Sequence, residues 1–199
     1  MPMPPDDAFA REPGQILDDP NEIFDLVDLD DHVVGQVRRG EAHRNPALIH
    51  RSVQVLVFTH DGRLLLQRRS ASKDLFPGYY CASASGHVAS GEDYTTTAER
   101  ELAEELGISA PLTYISKALV RSEPETELTA LYATMSDGPF QFHPTETDGG
   151  KIFAVDDVWD GIARGDLPVT PALLVAMEKL RTHAKQGNGD LAAFLARLG

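Results

Sequence analysis

Three glutamates lie close together in a stretch that is predicted to be helical. Glu101, Glu104 and Glu105 are spaced at i, i+3 and i+4, so their side chains share one face of an α-helix. Carboxylates this close repel one another unless they are solvated or a cation lies among them. Because oxygen ligands suit Mg²⁺ or Mn²⁺, the spacing predicts a divalent-metal site. An apolar stripe that can pack on a sheet occupies the adjacent face: Ala98, Leu102 and Leu106.

Basic residues are concentrated in one segment of an acidic chain. The formal net charge of −13 argues against general binding of nucleic acid or of a membrane surface. Between positions 38 and 73, however, there are eight basic residues and only two acidic ones, Glu41 and Asp61. The eight are Arg38, Arg39, Arg44, Arg51, Arg63, Arg68, Arg69 and Lys73. This local positive patch predicts a small phosphorylated substrate and no nucleic-acid polymer.

Strands are predicted on both sides of the glutamate-bearing helix. The predicted strands cover residues 24–28, 33–37, 52–58, 64–69, 80–88, 112–120, 128–135 and 151–155. The helix is expected from about Asp93 to Leu106, with Gly107 as a left-handed cap. Further helices are predicted over residues 156–164, 170–184 and 191–198, and residues 38–51 are expected to form a surface loop. Helices mixed with hairpins indicate an α+β fold with a mixed sheet.

The chain of 199 residues suits a single substantial core. We expect a poorly ordered extension rich in Pro and Asp over residues 1–22, a folded domain over residues 23–185, and a linker with a short helix over residues 186–199. One cysteine, Cys81, excludes an intrachain disulfide and fits a reducing compartment. Since neither a membrane span nor a signal peptide is present, we expect a soluble, cytoplasmic protein. The oligomeric state stays open, a homodimer included.

The stretch from Gly86 to Ile108 resembles the Nudix box at every position. The matching residues are Gly86, Glu92, Arg100, Glu101, Leu102, Glu104, Glu105, Gly107 and Ile108. The resemblance implies the Nudix fold, an α/β/α sandwich around a mixed β-sheet, and Mg²⁺-dependent hydrolysis of a diphosphate linked to another group. A carboxylate-held cation suits that chemistry because it neutralises phosphoryl oxygens and activates water.

The same resemblance implies roles for the box residues. Glu104 and Glu105 are the expected principal metal ligands, with help from the backbone carbonyl of Ser85. Glu101 is an additional ligand or the base that takes the proton of water. Glu92 and Arg100 form a pair that supports the helix. In many members of the family the base lies in a later loop, where Glu146 and Asp148 are the candidates.

A larger part of the chain, from about Phe24 to Leu180, resembles the isopentenyl-diphosphate isomerase branch of the Nudix superfamily. The segments AHRNPALIHR, LLLQRRSASKDLFPGYY and SGHV carry this resemblance. It implies a second site for a divalent metal (Zn²⁺, Mn²⁺ or Mg²⁺) at His43, His50, His87, Glu125 and Glu127. It also nominates Arg39, Arg51, Arg69 and Lys73 as contacts to the diphosphate. Because Arg68 and Arg69 are adjacent on a strand, at most one of them should reach the site.

Two departures from the isomerase pattern affect the predicted reaction. Ser85 stands where the isomerase has its catalytic cysteine, and Ala172 stands where an aromatic residue is expected. A hydroxyl is a poor proton-transfer group at neutral pH, so the residues favour a Nudix hydrolase acting on a nucleoside, sugar or isoprenoid diphosphate. One alternative is the isomerase with Glu127 as its acid and base. The other is a non-catalytic ligand sensor, although a sensor has no reason to keep every box carboxylate.

Overall fold

The computed structural model describes residues 19–71, 73, 75–142, 147–186 and 191–195. Strands and helices follow in this order: β1 Ile23–Val27, β2 Val33–Arg38, α1 Arg39–Ala42, β3 Ile49–Phe58, β4 Leu64–Arg69, β5 Tyr80–Cys81, β6 Ala84–His87, α2 Tyr94–Leu106, β7 Thr113–Ser122, β8 Glu125–Met135, β9 Thr147–Phe153, α3 Val155–Arg164, α4 Pro171–Gln186 and α5 Leu191–Leu195. The predicted α+β class is confirmed. Most of the expected N-terminal extension and residues 187–190 and 196–199 lie outside the described residues.

Strand β3 is the centre of a mixed sheet. It pairs in parallel with β8 along its whole length, from Ile49 opposite Thr126 to Phe58 opposite Met135. Its other side is shared by three antiparallel strands, because β1, β6 and β4 pair with successive parts of β3. Strands β3 and β4 pair over only two residues and then separate. The separation leaves space for the short strands β5 and β6 and for a cavity beside them.

The two faces of the sheet carry separate apolar cores, as the alternation of side chains along a strand requires. On one face, Val53, Val55 and Val57 of β3 pack in a cluster with Leu102 and Leu106 of α2. On the other face, residues of β3, α3 and α4 form the second cluster: Leu56, Phe58, Val158, Leu173, Met177 and Leu180. Helices on both faces of a mixed sheet confirm the predicted α/β/α sandwich.

Helix α2 begins and ends where the sequence predicts. The side chain of Asp93 caps its first turn, because Oδ1 accepts hydrogen bonds from the backbone amides of Thr95 at 2.9 Å and Thr96 at 3.1 Å. Gly107 ends it in the left-handed conformation with φ of 66°. The apolar stripe of the helix is buried in the core, so the glutamate face is fixed toward β6.

The prediction of a surface loop over residues 38–51 was wrong in part. Helix α1 forms at its start, and β3 begins at Ile49, three residues earlier than predicted. Ala42 and His50 are fully buried, because the β1–β2 hairpin adds a small core of its own around Phe24 and Val37. The single strand predicted over residues 80–88 is two strands, since β5 pairs with β4 while β6 pairs with β3.

Candidate active site

A cavity of about 390 Å³ lies beside the separated strands β3 and β4. It brings together eleven of the residues predicted from the sequence: Arg39, His43, Arg69, Lys73, Ser85, His87, Glu101, Glu104, Glu105, Glu125 and Glu127. Side chains from α1, α2 and the three strands β4, β6 and β8 therefore converge on one space. Four of the predicted residues do not line the cavity: Arg51, Glu92, Arg100 and His50.

Arg100 lies behind the carboxylates of α2 and joins them. Its Nη1 donates to Glu101 Oε1 at 2.6 Å and to Glu104 Oε2 at 3.1 Å. Its Nε and Nη2 each donate to Glu92 at 3.2 Å. Burial opposes the charge on Arg100, but these carboxylates raise its pKa above the ordinary value. Burial likewise opposes the charge on Glu92, yet the hydrogen bond from Arg100 helps to hold the pKa of Glu92 below its ordinary value.

The first glycine of the box leaves room for Glu101. A Cβ at Gly86 would overlap the carboxylate of Glu101, so a side chain here would push α2 away from β6. Glu101 is 7% exposed and its face of the helix reaches the cavity. Three carboxylates, those of Glu92, Glu101 and Glu104, surround one guanidinium, and a fourth, that of Glu105, lines the same cavity. This excess of negative charge fits a divalent cation held by oxygen ligands.

Gln67 is a part of this site that the sequence predictions missed. It is 2% exposed, and its Nε2 donates to Glu105 Oε2 at 2.7 Å and to the carbonyl of Ser83 at 2.6 Å. The amide therefore fixes the orientation of Glu105. The signal in the sequence is a glutamine directly after three leucines in a buried strand, since a polar residue there needs a hydrogen-bonding partner.

Three histidines and two glutamates form a second cluster. His43 follows α1, His50 lies on β3, His87 ends β6, and Glu125 and Glu127 begin β8. One ligand atom from each of the three histidines and from Glu125 lies within 4.8 Å of all the others. His43 Nε2 is 3.4 Å from Glu125 Oε2, and His87 Nε2 is 3.4 Å from Glu127 Oε1. The five residues that the resemblance named therefore lie close together, although they come from separate parts of the chain.

His50 shows that this cluster fits a metal ion. Its side chain is 0% exposed, and neither ring nitrogen makes a hydrogen bond within the described part of the chain. Burial is the largest cause that lowers the pKa of His50 to about 3, and the nearby His87 is the second. The imidazole of His50 is therefore neutral. Burial is the largest cause that raises the pKa of Glu125, and the neighbouring carboxylate of Glu127 is the second. Neutral imidazoles beside carboxylates are suitable ligands for Zn²⁺ or Mn²⁺.

Phe24 lies behind the histidines, and sequence reasoning gave it no role. Its ring stacks on His50 at 5.1 Å between centroids and 11° between planes, and on His87 at 5.0 Å and 25°. Phe24 is fully buried on β1. The apolar ring of Phe24 therefore limits the orientations of two metal-ligand candidates, His50 and His87.

Three of the four predicted diphosphate contacts lie at the cavity, and Arg51 does not. Arg51 follows His50 on β3, so its side chain points to the opposite face of the sheet. There its Nε donates to Asp31 Oδ1 at 2.7 Å, and its guanidinium lies 5.5 Å from the centre of the Tyr94 ring. The structure thus corrects the assignment of Arg51 to the substrate site.

Arg39, Arg69 and Lys73 provide the positive charge of the cavity. Arg39 Nη1 lies 3.3 Å from His87 Nδ1 and 3.3 Å from Glu22 Oε2. Arg69 donates to the carbonyl of Leu75 at 3.0 Å. Its neighbour Arg68 turns away and donates to the carbonyl of Gly78, as expected for adjacent residues on a strand.

The remaining candidates for acid and base chemistry are less favourably placed. Glu146 lies outside the described residues, and Asp148 is an exposed residue of β9 away from the cavity lining. Ser85 and Ala172 both line the cavity, so the two departures from the isomerase pattern are at the site itself. Desolvation raises the pKa of the Cys81 thiol to about 12, which leaves this thiol protonated at neutral pH.

Residues 48–173 match the family model of the NUDIX domain. The chain belongs to the Nudix family, and its relatives place it in the isopentenyl-diphosphate isomerase-like branch. It is 35% identical over 147 residues to an isopentenyl-diphosphate Delta-isomerase of Nocardia farcinica, covering 74% of this chain and 70% of that protein. It is 38% identical over 128 residues to an uncharacterized Nudix hydrolase of Yersinia pestis, covering 64% of this chain and 70% of the relative.

A solved structure from Deinococcus radiodurans has the same fold. It superposes with a TM-score of 0.68 at 28% identity and covers 79% of this chain and 98% of that one. Among the described residues, no helix has the length and apolar character needed to span a membrane.

Proposed function

We propose that the protein is a Nudix hydrolase that cleaves a diphosphate bond in a small molecule with the help of Mg²⁺ or Mn²⁺. The observation that carries this proposal is the arrangement of the box: Glu101, Glu104 and Glu105 all line one cavity together with three basic side chains. A catalytically silent domain would not need this complete set. We further expect the protein to act in the cytoplasm.

The metal would be held by Glu101, Glu104, Glu105 and the carbonyl of Ser85. When bound, it supplies neutralisation of phosphoryl charge and a water of lowered pKa. The chain itself contributes the rest of the chemistry. Arg39, Arg69 and Lys73 bind the diphosphate oxygens, because guanidinium and ammonium groups pair well with phosphate.

The reaction proposed for these residues is a single displacement. The oxygen of a water attacks phosphorus, the bond from phosphorus to the bridging oxygen breaks, and the leaving phosphate or phosphate ester takes the bond electrons. A carboxylate of the same helix face, Glu101 or Glu105, accepts the proton of the water. Gln67 orients Glu105 for this role, and Arg100 holds Glu101 and Glu104 in place.

The proposal is tested by offering the protein Mg²⁺ and a panel of nucleoside, sugar and isoprenoid diphosphates in D₂O. Phosphate release and entry of deuterium into the substrate are followed in the same sample. We expect phosphate release without deuterium entry. Glu105→Gln should lower kcat by about 10²- to 10³-fold. Glu99→Gln is the matched control, because Glu99 is an exposed glutamate of the same helix.

Isoprenoid diphosphate isomerisation is the second candidate function. It is favoured by the histidine and glutamate cluster and by the relative of that name in Nocardia farcinica. Ser85 and Ala172 argue against it, because they replace the expected acid and aromatic residue. Deuterium in isopentenyl diphosphate without phosphate release would establish the isomerase and exclude the hydrolase. Binding of a diphosphate with neither signal would support the ligand sensor.

A further inference from the structure

The part of the cavity wall formed by β3 and its neighbours is polar where a hydrophobic core would be expected. His50, Ser52 and Gln54 alternate along β3 on the face that continues into the buried Leu56. Ser85 of β6 lies directly opposite Gln54 in the antiparallel register. The side chains of such a pair share a face and lie side by side. The wall beside the histidine cluster is therefore an amide next to a hydroxyl.

Gln54 is buried without its full set of hydrogen bonds. Its side chain is 5% exposed, and Oε1 has no hydrogen-bond partner within the described ranges of the chain. The adjacent hydroxyls do not serve it, because Ser52 Oγ and Thr129 Oγ1 are bonded to each other at 2.8 Å. Burying an amide in this way lowers stability, and a methionine or leucine would fill the same space at a lower cost. The glutamine therefore suits a molecule that enters the cavity.

The position of Gln54 within the cavity indicates what it meets. The histidine cluster lies at one end of the polar strip, and Thr170, Pro171 and Ala172 at the start of α4 line the cavity with Gln54. Arg39 Nη1 lies 3.3 Å from His87 Nδ1, so part of the diphosphate-binding charge lies beside that cluster, and Arg69 lines the same cavity. A diphosphate held by these charges would direct its attached group toward Gln54, Ser85 and the start of α4.

We propose that Gln54 is a specificity-determining residue that hydrogen-bonds the group attached to the diphosphate, and that this group carries hydroxyls, as a sugar or a nucleoside does. The inference rests on the proposed hydrolase function and deepens it. A prenyl chain has no donor for the amide oxygen and would leave Gln54 buried and unbonded. A site built to pair with a hydroxyl rejects an analogue without one much more strongly than an apolar pocket rejects an extra methylene.

A competing role for Gln54 involves Ser116 of β7. A gap of about 10 Å³, close to the volume that one water molecule needs, borders both residues beneath α4. The Oγ of Ser116 is also without a partner among the described residues. Under this role the amide would only stabilise the packing of α4. The variant Ser116→Ala separates the two roles, because it changes the gap and leaves the cavity lining intact.

The experiment compares kcat/KM for UDP-glucose, ADP-ribose and geranyl diphosphate in the wild type, in Gln54→Met and in Ser116→Ala. We expect the wild type to prefer the two hydroxyl-bearing substrates. Gln54→Met should shift the ratio of kcat/KM toward geranyl diphosphate by about 10- to 100-fold, as expected for the loss of one or two hydrogen bonds. Its melting temperature should be equal to or higher than that of the wild type, since the buried amide is removed. Ser116→Ala should leave the ratio unchanged.

Two outcomes would overturn the inference while the hydrolase function stands. One is a wild type whose kcat/KM for geranyl diphosphate equals its kcat/KM for UDP-glucose. The other is a ratio in Gln54→Met that equals that of the wild type, or that Ser116→Ala changes equally. If the wild type cleaves the diphosphate of none of the three, so that neither a phosphate monoester nor phosphate is formed, the proposed function fails, and calorimetric binding of UDP-glucose with Mg²⁺ tests Gln54 directly. Equal affinity of the wild type and Gln54→Met would then refute its role.

Discussion

The glutamates of α2 and the histidine cluster lie on opposite faces of strand β6. Gly86 faces α2, because a Cβ there would overlap Glu101, and the next residue, His87, faces the other way toward Glu127. The glutamates share one helix and are held by a charged partner, Arg100. The histidines come from three separate parts of the chain, and two of them, His50 and His87, stack on an uncharged ring, that of Phe24.

The two clusters avoid charge repulsion in different ways before a cation binds. Carboxylates grouped together repel one another, so they need a counterion within the protein, and Arg100 provides it. The imidazole of His50 is neutral and needs no counterion, so burial and stacking on Phe24 can hold it. The glutamate cluster should therefore lose its geometry when Arg100 is removed. The histidine cluster should stay folded when one of its ligands is replaced.

Removing Arg100 should have the largest effect. Arg100→Met leaves Glu92, Glu101 and Glu104 close together without their shared cation, and breaking such a partly buried network costs about 3 kcal/mol of unfolding free energy. Hydrolytic kcat should fall by about 10²-fold or more, because the ligands lose their geometry. Urea unfolding and steady-state kinetics measure the two effects. Arg164→Met is the control, because its ion pair with Asp166 is exposed to solvent and should contribute little to stability. Similar stability losses in the two variants would contradict the proposed role of Arg100.

Replacing His50 should have the opposite effect on the metal-free protein. His50→Leu removes a buried imidazole whose nitrogens are unbonded within the described ranges, so the melting temperature without metal should stay the same or rise. The stabilisation by added Zn²⁺ or Mn²⁺ should be lost, which at 100 times Kd amounts to about 2.7 kcal/mol in the wild type. Calorimetric scans with and without metal check both expectations. A variant that is destabilised without metal and still stabilised by it would remove His50 from the site.

The sequence predicted the first cluster better than the second, for a physical reason. Glu101, Glu104 and Glu105 share one short helix, so local periodicity was sufficient to place them on one face. The meeting of His43, His50 and His87 depends on strand pairing between distant segments, and only the family resemblance indicated it. The resemblance also nominated Arg51 for the diphosphate, but β3 begins earlier than predicted and its alternation turns Arg51 away from the cavity. Gln54, Gln67 and Phe24 carry no motif, since their roles depend on neighbours far apart in the chain.

Phe24 offers a finer test of the second cluster. Phe24→Leu keeps an apolar side chain in the small core but removes the flat surface that limits rotation of His50 and His87. We expect affinity for Zn²⁺ or Mn²⁺ to fall by about 10-fold, the size typical of residues that orient metal ligands. Isothermal titration calorimetry measures it, and Mg²⁺-dependent activity at the glutamate face should change less. Tighter or unchanged metal binding would show that burial alone orients the histidines.

The smallest expected effect concerns the charged network on the far side of β3, which holds the hairpin that carries Phe24. Asp31 accepts from Arg51 at 2.7 Å and pairs with Lys117. Burial opposes its charge, but the hydrogen bonds from Lys117 and Arg51 hold the pKa of Asp31 below its ordinary value.

A carboxyl with a lowered pKa in the folded state contributes stability that is complete above its unfolded pKa of about 3.9 and lost as the pH falls through the folded pKa. Asp31→Asn should therefore cost about 1 kcal/mol near pH 7, and this cost should shrink as the pH falls below the unfolded pKa of the aspartate. Urea unfolding of both proteins at several pH values measures this difference. A cost that does not change with pH would show that the aspartate acts through its shape and not its charge.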